Sequence, residues 1–259
     1  MLKAFKERLR QGHRTIPFPG GASLPESFRG LPLLDASRCA DGCSACAERC
    51  PTDAIRTEPN LTLDLGRCLF CAECVAACPT GAIRFGPDYR MAARRRDDLV
   101  VGQDPEEPYR LAEALDHETR RLFGRSLRLR QVSAGGSAGC ELEAAALGNV
   151  VFDFARFGIQ FVASPRHADG LLITGPVTRN MKLALEKTYQ AVPPPKIVIA
   201  VGAAAISGGP FAGYPEVLDG AASVIPVDLF VPGHPPHPLT ILDGLLRLLG
   251  RIGEPAGSR

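Results

Sequence analysis

The chain has 259 residues, a formal net charge of +2, 45% hydrophobic and 22% charged residues. This balance is typical of a water-soluble protein with a real core, and it lacks the strong basic excess of a nucleic-acid-binding protein. The apolar stretches at Leu171–Val177 and Ile197–Ile206 are shorter than the roughly 18–20 residues that span a bilayer. The N-terminal sequence MLKAFKERLR has no continuous apolar run, so we expect no secretory signal.

Residues 1–35 form a lead-in with one short amphipathic segment. Leu2, Phe5 and Leu9 lie at helical spacing, with lysines and arginines between them. Such a segment can lie on a membrane surface or pack as a short helix on a partner, and ten residues do not decide between the two.

An internal repeat dominates the next region, residues 36–98. The stretch from Asp35 to Ile55 is echoed by the stretch from Asp64 to Ile83, and each copy ends in Cys-Pro-Thr-x-Ala-Ile. The repeat predicts two copies of one supersecondary unit.

Eight of the nine cysteines belong to this repeat. The second copy reads Cys68-x₂-Cys71-x₂-Cys74-x₃-Cys78-Pro79, and the first reads Cys39-x₃-Cys43-x₂-Cys46-x₃-Cys50-Pro51. The second spacing is that of bacterial two-cluster ferredoxins, in which three thiolates hold one [4Fe–4S] cluster and the fourth reaches the other. The first copy has one extra residue, and Gly42 within it can bulge at little steric cost.

The crossed pattern predicts the ligands of two [4Fe–4S] clusters. Cluster one takes Cys39, Cys43, Cys46 and Cys78, and cluster two takes Cys68, Cys71, Cys74 and Cys50. Zinc is the alternative metal, but it favours two pairs of ligands over eight evenly spaced thiolates. Dense cysteines in an odd total indicate metal in a reducing compartment, so we expect a cytoplasmic protein.

After a linker at residues 99–125, with a helix predicted at Pro108–Leu122, the pattern changes. From residue 126 to 259, short apolar runs alternate with helical periodicity, which predicts a parallel α/β sheet. The predicted strands are Leu127–Val132, Gly170–Thr174, Lys196–Val201 and Ser223–Val227, and the predicted helices are Glu141–Leu147, Val177–Gln190 and an amphipathic Leu239–Ile252. The expected fold is an α+β ferredoxin-like two-cluster domain followed by an α/β flavodoxin-like parallel-sheet domain.

Two family resemblances extend beyond the cysteines. Residues 1–98, with Pro17–Pro19 and Glu26–Gly30, resemble the ferredoxin-like subunit of formate hydrogenlyase and membrane-bound hydrogenases, itself similar to the two-cluster ferredoxin subunit of complex I. Residues 126–252 resemble the small subunit of group 4 [NiFe] hydrogenases and the 20 kDa subunit of NADH–quinone oxidoreductase. The stretches that carry the second resemblance are Ala155–Gly158, Ser164–Asp169, Thr174–Met181, Ser207–Gly209 and Val227–Pro236. The chain therefore looks like a fusion of two subunits.

The second family holds one further cluster on four cysteines, and this chain departs from that pattern. By the resemblance, the four positions are Ser137, Cys140, Ala204 and His234, so one cysteine of four remains. Histidine can replace cysteine on iron, but alanine offers no donor atom. We expect that the cluster is lost while the fold is kept, with an unusually ligated cluster near Cys140 and His234 as the alternative.

The same resemblance bears on other polar residues. Glu143 can relay protons or contact a large subunit, or it can, like Glu141, be a helix N-terminal acid. Arg156 and Arg166 are candidates for interface ion pairs, whereas His167 and His237 are expected to be structural or exposed. The Gly208–Pro210 loop lacks a dinucleotide-binding spacing, so no nucleotide is expected.

The resemblance implies an electron-transfer subunit of a membrane-associated complex related to hydrogenase, formate hydrogenlyase or complex I. The expected partners are a hydrogenase-like large subunit, facing the surface with Cys140, Arg156, Arg166, Ala204 and His234, and membrane subunits of the same complex. Their contacts would hold the chain on the inner face of the cell membrane. The alternative is a ferredoxin module fused to a docking scaffold without redox function.

Overall fold

The computed structural model describes residues 2–40, 42–102 and 109–253. Within these ranges no helix combines the length and the hydropathy needed to cross a membrane. The α-helices are α1 (Leu2–Gln11), α2 (Ala45–Glu48), α3 (Glu73–Ala77), α4 (His117–Phe123), α5 (Gly139–Ala146), α6 (Arg179–Ala191), α7 (Ala203–Ser207) and α8 (Pro238–Leu248). The strands are β1 (Pro32–Leu34), β2 (Ile55–Arg56), β3 (Thr62–Asp64), β4 (Ile83–Phe85), β5 (Val100–Val101), β6 (Leu127–Ser133), β7 (Ile159–Phe161), β8 (Gly170–Thr174), β9 (Ile197–Val201) and β10 (Leu229–Val231).

The ferredoxin half, residues 32–101, is built from very short elements. β1 pairs with β4, and β3 lies between β2 and β5, all antiparallel. Its strands have only two or three residues each, so sheet hydrogen bonds contribute little to holding it together. Buried leucine and isoleucine side chains fill its interior, among them Leu63, Leu65, Ile83 and Leu99.

The C-terminal half contains a five-stranded parallel sheet in the order β10-β9-β8-β6-β7. Every residue of β8 and β9, two of the three inner strands, is buried, as expected for parallel strands covered on both faces. The predicted α/β flavodoxin-like domain after a ferredoxin-like domain is confirmed. The short strand β7 and the short helix α7 were not predicted.

The two faces of this sheet meet different parts of the molecule. Leu172 and Ile199 point into a core with α5 and α8, whereas Leu171 and Ile173 point into a core with α6. The second core is continuous with the interior of the ferredoxin half. The two halves therefore share one apolar interior, although the domain boundaries inferred from sequence stay predictions.

Two of the predicted elements are wrong in position. Ser223–Val227 is not a strand, because Pro226 lacks the N–H that a sheet ladder needs, and the edge strand β10 begins only at Leu229. The linker helix does not run from Pro108, which lies outside the described residues, to Leu122. It begins at His117, because the Asp116 carboxylate accepts the Thr119 N–H at 2.9 Å and caps the helix there.

Helix α8 also differs from its prediction as an amphipathic helix over Leu239–Ile252. It ends at Leu248, and all of its residues are buried. The sheet covers one side, and Ala92, Ala112 and Leu115 from the preceding region pack in the same core. Its charged residues, Asp243 and Arg247, pair within the helix at 2.8 Å with side chains 2% and 5% exposed.

A backbone bridge joins the segment after β4 to the edge of the parallel sheet. Ala93 pairs antiparallel with Phe230 on β10. The Ala93 N–H donates to Phe230 O with an N···O distance of 3.0 Å, and the Phe230 N–H donates to Ala93 O at 2.8 Å. The ferredoxin half thus contributes backbone partners to the sheet of the other half.

Candidate iron-sulfur sites

The first-repeat cysteines lie on a loop and a single helical turn. Cys39 is exposed, Cys46 is buried in α2, and Cys50 follows that helix. Gly42 has a φ of 70° with open space around its Cα, which fits the predicted bulge, and Asp41 beside it lies outside the described residues.

The second-repeat cysteines are held by a tightly curled loop and α3. Phe70 and Ala72 both have positive φ values, of 54° and 66°, which non-glycine residues adopt only when their surroundings enforce it. This curl places Cys71 at the surface, whereas Cys68 and Cys74 are buried.

The electrostatic contacts divide the eight thiols into two groups. Burial raises the pKa of Cys39, and the charges of Cys78 and Cys43 add to the rise; burial likewise raises the pKa of Cys46, with Cys78 and Cys39 as its charged neighbours. Cys78, from the second repeat, therefore lies among first-repeat thiols.

The other group shows the reverse crossing. Burial raises the pKa of Cys68 to about 12 and that of Cys74 to about 11. Charges on Cys50 and Cys71 contribute to both rises. A small cavity is lined by the thiol-bearing residues Cys50, Cys68, Cys71 and Cys74.

Backbone N–H groups point at three of these sulfurs. The Ala54 N–H donates to Cys50 Sγ at 3.3 Å, and the Ala82 N–H donates to Cys78 Sγ at 3.2 Å, the same offset in each repeat. The Phe70 N–H donates to Cys68 Sγ at 3.3 Å. Burial of the cysteines disfavours free thiolates, whose negative charge needs a compensating partner. Cationic iron together with the N–H donors would provide it, so these cysteines fit iron–sulfur ligation.

The C-terminal half brings together the three segments that carry the four positions of the family pattern, since the Ala203 N–H donates to Gly233 O at 2.8 Å. A Cβ built on Gly202, which precedes α7, would lie 2.4 Å from Cys140 Sγ, and one built on Gly139 would lie 3.7 Å from Pro235. Cys140 is buried, which raises its pKa to about 12, and the buried His234 Nδ1 finds no hydrogen-bond partner among the residues that the structure describes.

The donor atoms at this place do not fit an ordinary four-cysteine cluster. Ala204 presents a methyl group and is 5% exposed, while Ser137 is exposed. Across the described residues, no three His, Cys, Asp or Glu side chains converge as a preformed metal-ion site, in either half. Within the described part of the chain, the grouped thiols with N–H donors to sulfur lie in the ferredoxin half.

Glu141 has a structural role beside Cys140. Burial tends to raise its pKa, but hydrogen bonds from Ser133 and Thr174, both 2.6 Å from Oε1, lower it on balance. Glu141 thus ties α5 to the ends of β6 and β8. Burial raises the pKa of Glu143. Proton relay and contact with a large subunit stay predictions for this residue.

The remaining candidates are distributed around this neighbourhood. Arg156 donates to Ile16 O at 2.9 Å and lies over the Phe157 ring, whereas Arg166 and His167 are exposed. The His237 Nδ1 accepts the Leu239 N–H at 3.2 Å and caps α8. Sequence reasoning missed Ser207, whose hydroxyl donates to Gly66 O at 2.8 Å, because no sequence signal links residues 141 positions apart.

Residues 38–82 match the 4Fe-4S dicluster domain family, and residues 138–248 match the family described as NADH ubiquinone oxidoreductase, 20 Kd subunit. The B-type subunit of the NADH-quinone oxidoreductase of Heliobacterium modesticaldum is 46% identical over 124 residues, which cover 48% of this chain and 71% of that protein. The "Probable membrane-bound hydrogenase subunit mbhJ" of Pyrococcus furiosus is 41% identical, covering 52% of this chain and 80% of the relative. Formate hydrogenlyase subunit 7 of Escherichia coli is 43% identical, but only 53% of its length is covered.

Among solved structures, a chain of the archaeal membrane-bound sulfane sulfur reductase is 32% identical with a TM-score of 0.46, covering 52% of this chain and 76% of that one. The sequence relatives are the stronger finding, since they combine identities above 40% with coverage of most of the matched protein. The fusion inferred from sequence, with an iron-sulfur electron-transfer role, is confirmed. The chain belongs to the family of the NADH ubiquinone oxidoreductase 20 kDa subunit and carries a 4Fe-4S dicluster domain ahead of that unit.

Proposed function

We propose that this chain carries electrons on two [4Fe–4S] clusters within a membrane-associated complex related to hydrogenase, formate hydrogenlyase or complex I. The clusters are held by the two crossed cysteine sets of the ferredoxin half, and the C-terminal half holds none. The observation that carries the proposal is the crossing itself, with Cys78 among the first-repeat thiols and Cys50 among the second.

Each cluster, when bound, supplies a one-electron redox centre. The protein's part is to hold the sulfurs, donate N–H groups to them and keep water away. Around the second set, the apolar side chains of Ile55, Leu63 and Phe85 line the cavity together with the cysteines. Cys39 and Cys71 are exposed, which gives electron donors and acceptors close access to each set.

The surroundings of the predicted C-terminal ligand positions support a docking role. Cys140 and Ala204 are buried, so the predicted partner surface cannot be formed by these two residues themselves. The exposed residues next to them are Ser137 and Pro235, with Leu142 69% exposed on α5. Leu142 lies two residues after Cys140 and so on another side of α5, which makes Ser137 and Pro235 the exposed residues that a hydrogenase-like large subunit would contact here.

Association with the membrane surface is supported by α1. None of its residues is buried, and Leu2, Phe5 and Leu9 are 87%, 64% and 70% exposed. Lys3, Lys6, Arg8 and Arg10 share the helix with a single acidic residue, Glu7. An apolar stripe flanked by cations suits the anionic inner face of a cell membrane, which supplements contacts through partner subunits.

A second candidate function remains open: a ferredoxin module on a scaffold without redox function. It is favoured by Ala204, which puts a buried methyl group at a ligand position while the sheet and helices around it are intact. The two candidates differ in whether the chain is found with a hydrogenase-like large subunit after gentle purification.

The test of the cluster count is iron and acid-labile sulfide per chain in anaerobically purified full-length protein. We expect about eight of each, four for each of two [4Fe–4S] clusters. A variant with Ser137→Cys, Ala204→Cys and His234→Cys restores the family pattern, and in it we expect about twelve. A value of about twelve in the unmodified chain would contradict the proposal and favour an unusually ligated third cluster.

A further inference from the structure

The short helix α7 of the C-terminal half touches the loop that presents Cys68. The Ser207 Oγ lies 2.8 Å from Gly66 O and 3.1 Å from Ala203 O, so its hydroxyl proton is directed at two carbonyl groups. Gly66 is only two residues before Cys68. A side chain at the end of α7 therefore holds the backbone of a cysteine loop in the other half.

Arg96 and Asp64 also hold this loop in place. The Arg96 guanidinium donates two hydrogen bonds to the Asp64 carboxylate, at 2.8 and 2.6 Å, and Asp64 Oδ1 accepts the Gly66 N–H at 2.8 Å. A Cβ on Gly66 would lie 2.7 Å from Arg96 Cζ and 2.8 Å from Ile206 Cγ2. The loop at Gly66 therefore packs closely against both the Arg96 side chain and Ile206 of α7.

The far end of the loop faces the cavity of the second cysteine set. Cys68 is 7% exposed, its sulfur accepts the Phe70 N–H at 3.3 Å, and Phe70 O accepts from Arg29 at 2.8 Å. Hydrogen bonds to cluster sulfurs and solvent exposure both set the reduction potential of an iron–sulfur cluster. Whatever fixes this loop therefore also fixes two determinants of the potential.

We propose that Ser207, at the end of the helix whose Ala204 replaces a cluster ligand, is a positioning residue that sets the reduction potential of cluster two. The inference rests on the proposed function, since it requires a cluster on Cys68, Cys71, Cys74 and Cys50. The C-terminal half then acts on electron transfer from outside, by holding Cys68 and its N–H donor in place. The predicted ligand positions of the C-terminal half take no part in this effect on the potential.

The test is an EPR-monitored redox titration of the full-length, iron-loaded protein with Ser207→Ala. We expect the midpoint potential of cluster two to fall while that of cluster one stays unchanged, because a loosened loop weakens the N–H···S bond that stabilises the reduced cluster. A tenfold change in the reduction equilibrium, about 59 mV for one electron, is the expected upper range. Ser207→Thr, which keeps the hydroxyl, should restore the original potential.

Ser223→Ala is the matched control, because the Ser223 hydroxyl also donates to backbone carbonyls, those of Leu218 and Gly220, but within its own half. Arg96→Lys provides a second variant that loosens the same loop without touching α7, and it should lower the same potential. Unchanged or raised potentials in the Ser207→Ala and Arg96→Lys proteins, or equal shifts of both clusters, would overturn the inference. Unmodified protein with no iron on the second cysteine set would instead overturn the proposed function.

Discussion

The two halves of the molecule treat their cluster ligands in opposite ways. The ferredoxin half keeps every cysteine of two binding patterns, although its strands have only two or three residues and its helices α2 and α3 only four or five. The C-terminal half has one cysteine at the four positions of the family pattern, yet it has a five-stranded sheet in which β8 and β9 are fully buried. A sheet packed on both faces can lose a metal site and still fold, whereas a small unit with little regular structure depends on its metal.

The largest expected effect comes from removing iron from the whole protein with a chelator under reducing conditions. We expect amide hydrogen exchange in residues 32–101 to speed up by at least about a hundredfold, or about 2.8 kcal/mol, while β8 and β9 stay protected. The physical reason is that cluster binding supplies folding free energy to the ferredoxin half only. Equal loss of protection in both halves would show that the sheet also depends on the clusters.

The next largest expected effect is the loss of a single cluster. Substituting two buried cysteines one at a time tests which of them is a ligand. Cys68 and Cys140 are 7% and 8% exposed, and burial raises the pKa of each to about 12. We expect Cys68→Ala to lower the iron content from about eight to about four per chain, and Cys140→Ala to leave it at about eight. Iron analysis after desalting measures both, and a loss of iron in the Cys140→Ala protein would assign that thiol to a cluster.

The smallest effect concerns α1 and the membrane surface. We expect the full-length protein to sediment with vesicles containing anionic lipid, and Leu9→Ser to weaken this binding by about tenfold, because a buried leucine contributes roughly 1.5–3 kcal/mol. Leu183→Ser is the control, since Leu183 is 60% exposed on α6. Equal sedimentation of both variants and the unmodified chain would exclude α1 as the membrane contact.

The sequence was sufficient where the signal was local or periodic. Continuous apolar runs predicted β8 and β9, because covered parallel strands need no polar face. Cysteine spacing predicted the two crossed ligand sets, and these assignments stay predictions. The sequence was insufficient where distant segments decide the outcome. The sequence predicts an amphipathic α8 because Asp243 and Arg247 are charged. Only the structure shows that these two side chains pair with each other and that the whole helix is buried.

The candidate sites divide in the same way. The ligand positions of the C-terminal half are a prediction from the family pattern, and the structure places Gly202 against Cys140 and Gly139 against Pro235. The Ser207–Gly66 hydrogen bond could not be predicted, because the sequence around a serine at a helix end does not indicate a carbonyl acceptor in the other half. Contacts between halves are tertiary facts, and a single sequence contains no local signal for them.

The backbone bridge between Ala93 and Phe230 has a consequence for solubility and assembly. β10 is the last strand of the parallel sheet, and an open edge strand is a template on which a neighbouring chain can add a strand and begin to aggregate. Here Ala93 occupies backbone groups of that edge through two hydrogen bonds. Because the Ala93 segment and the sheet edge belong to the same chain, the local concentration of this segment does not fall on dilution. It also cannot be lost through unequal synthesis of two separate subunits.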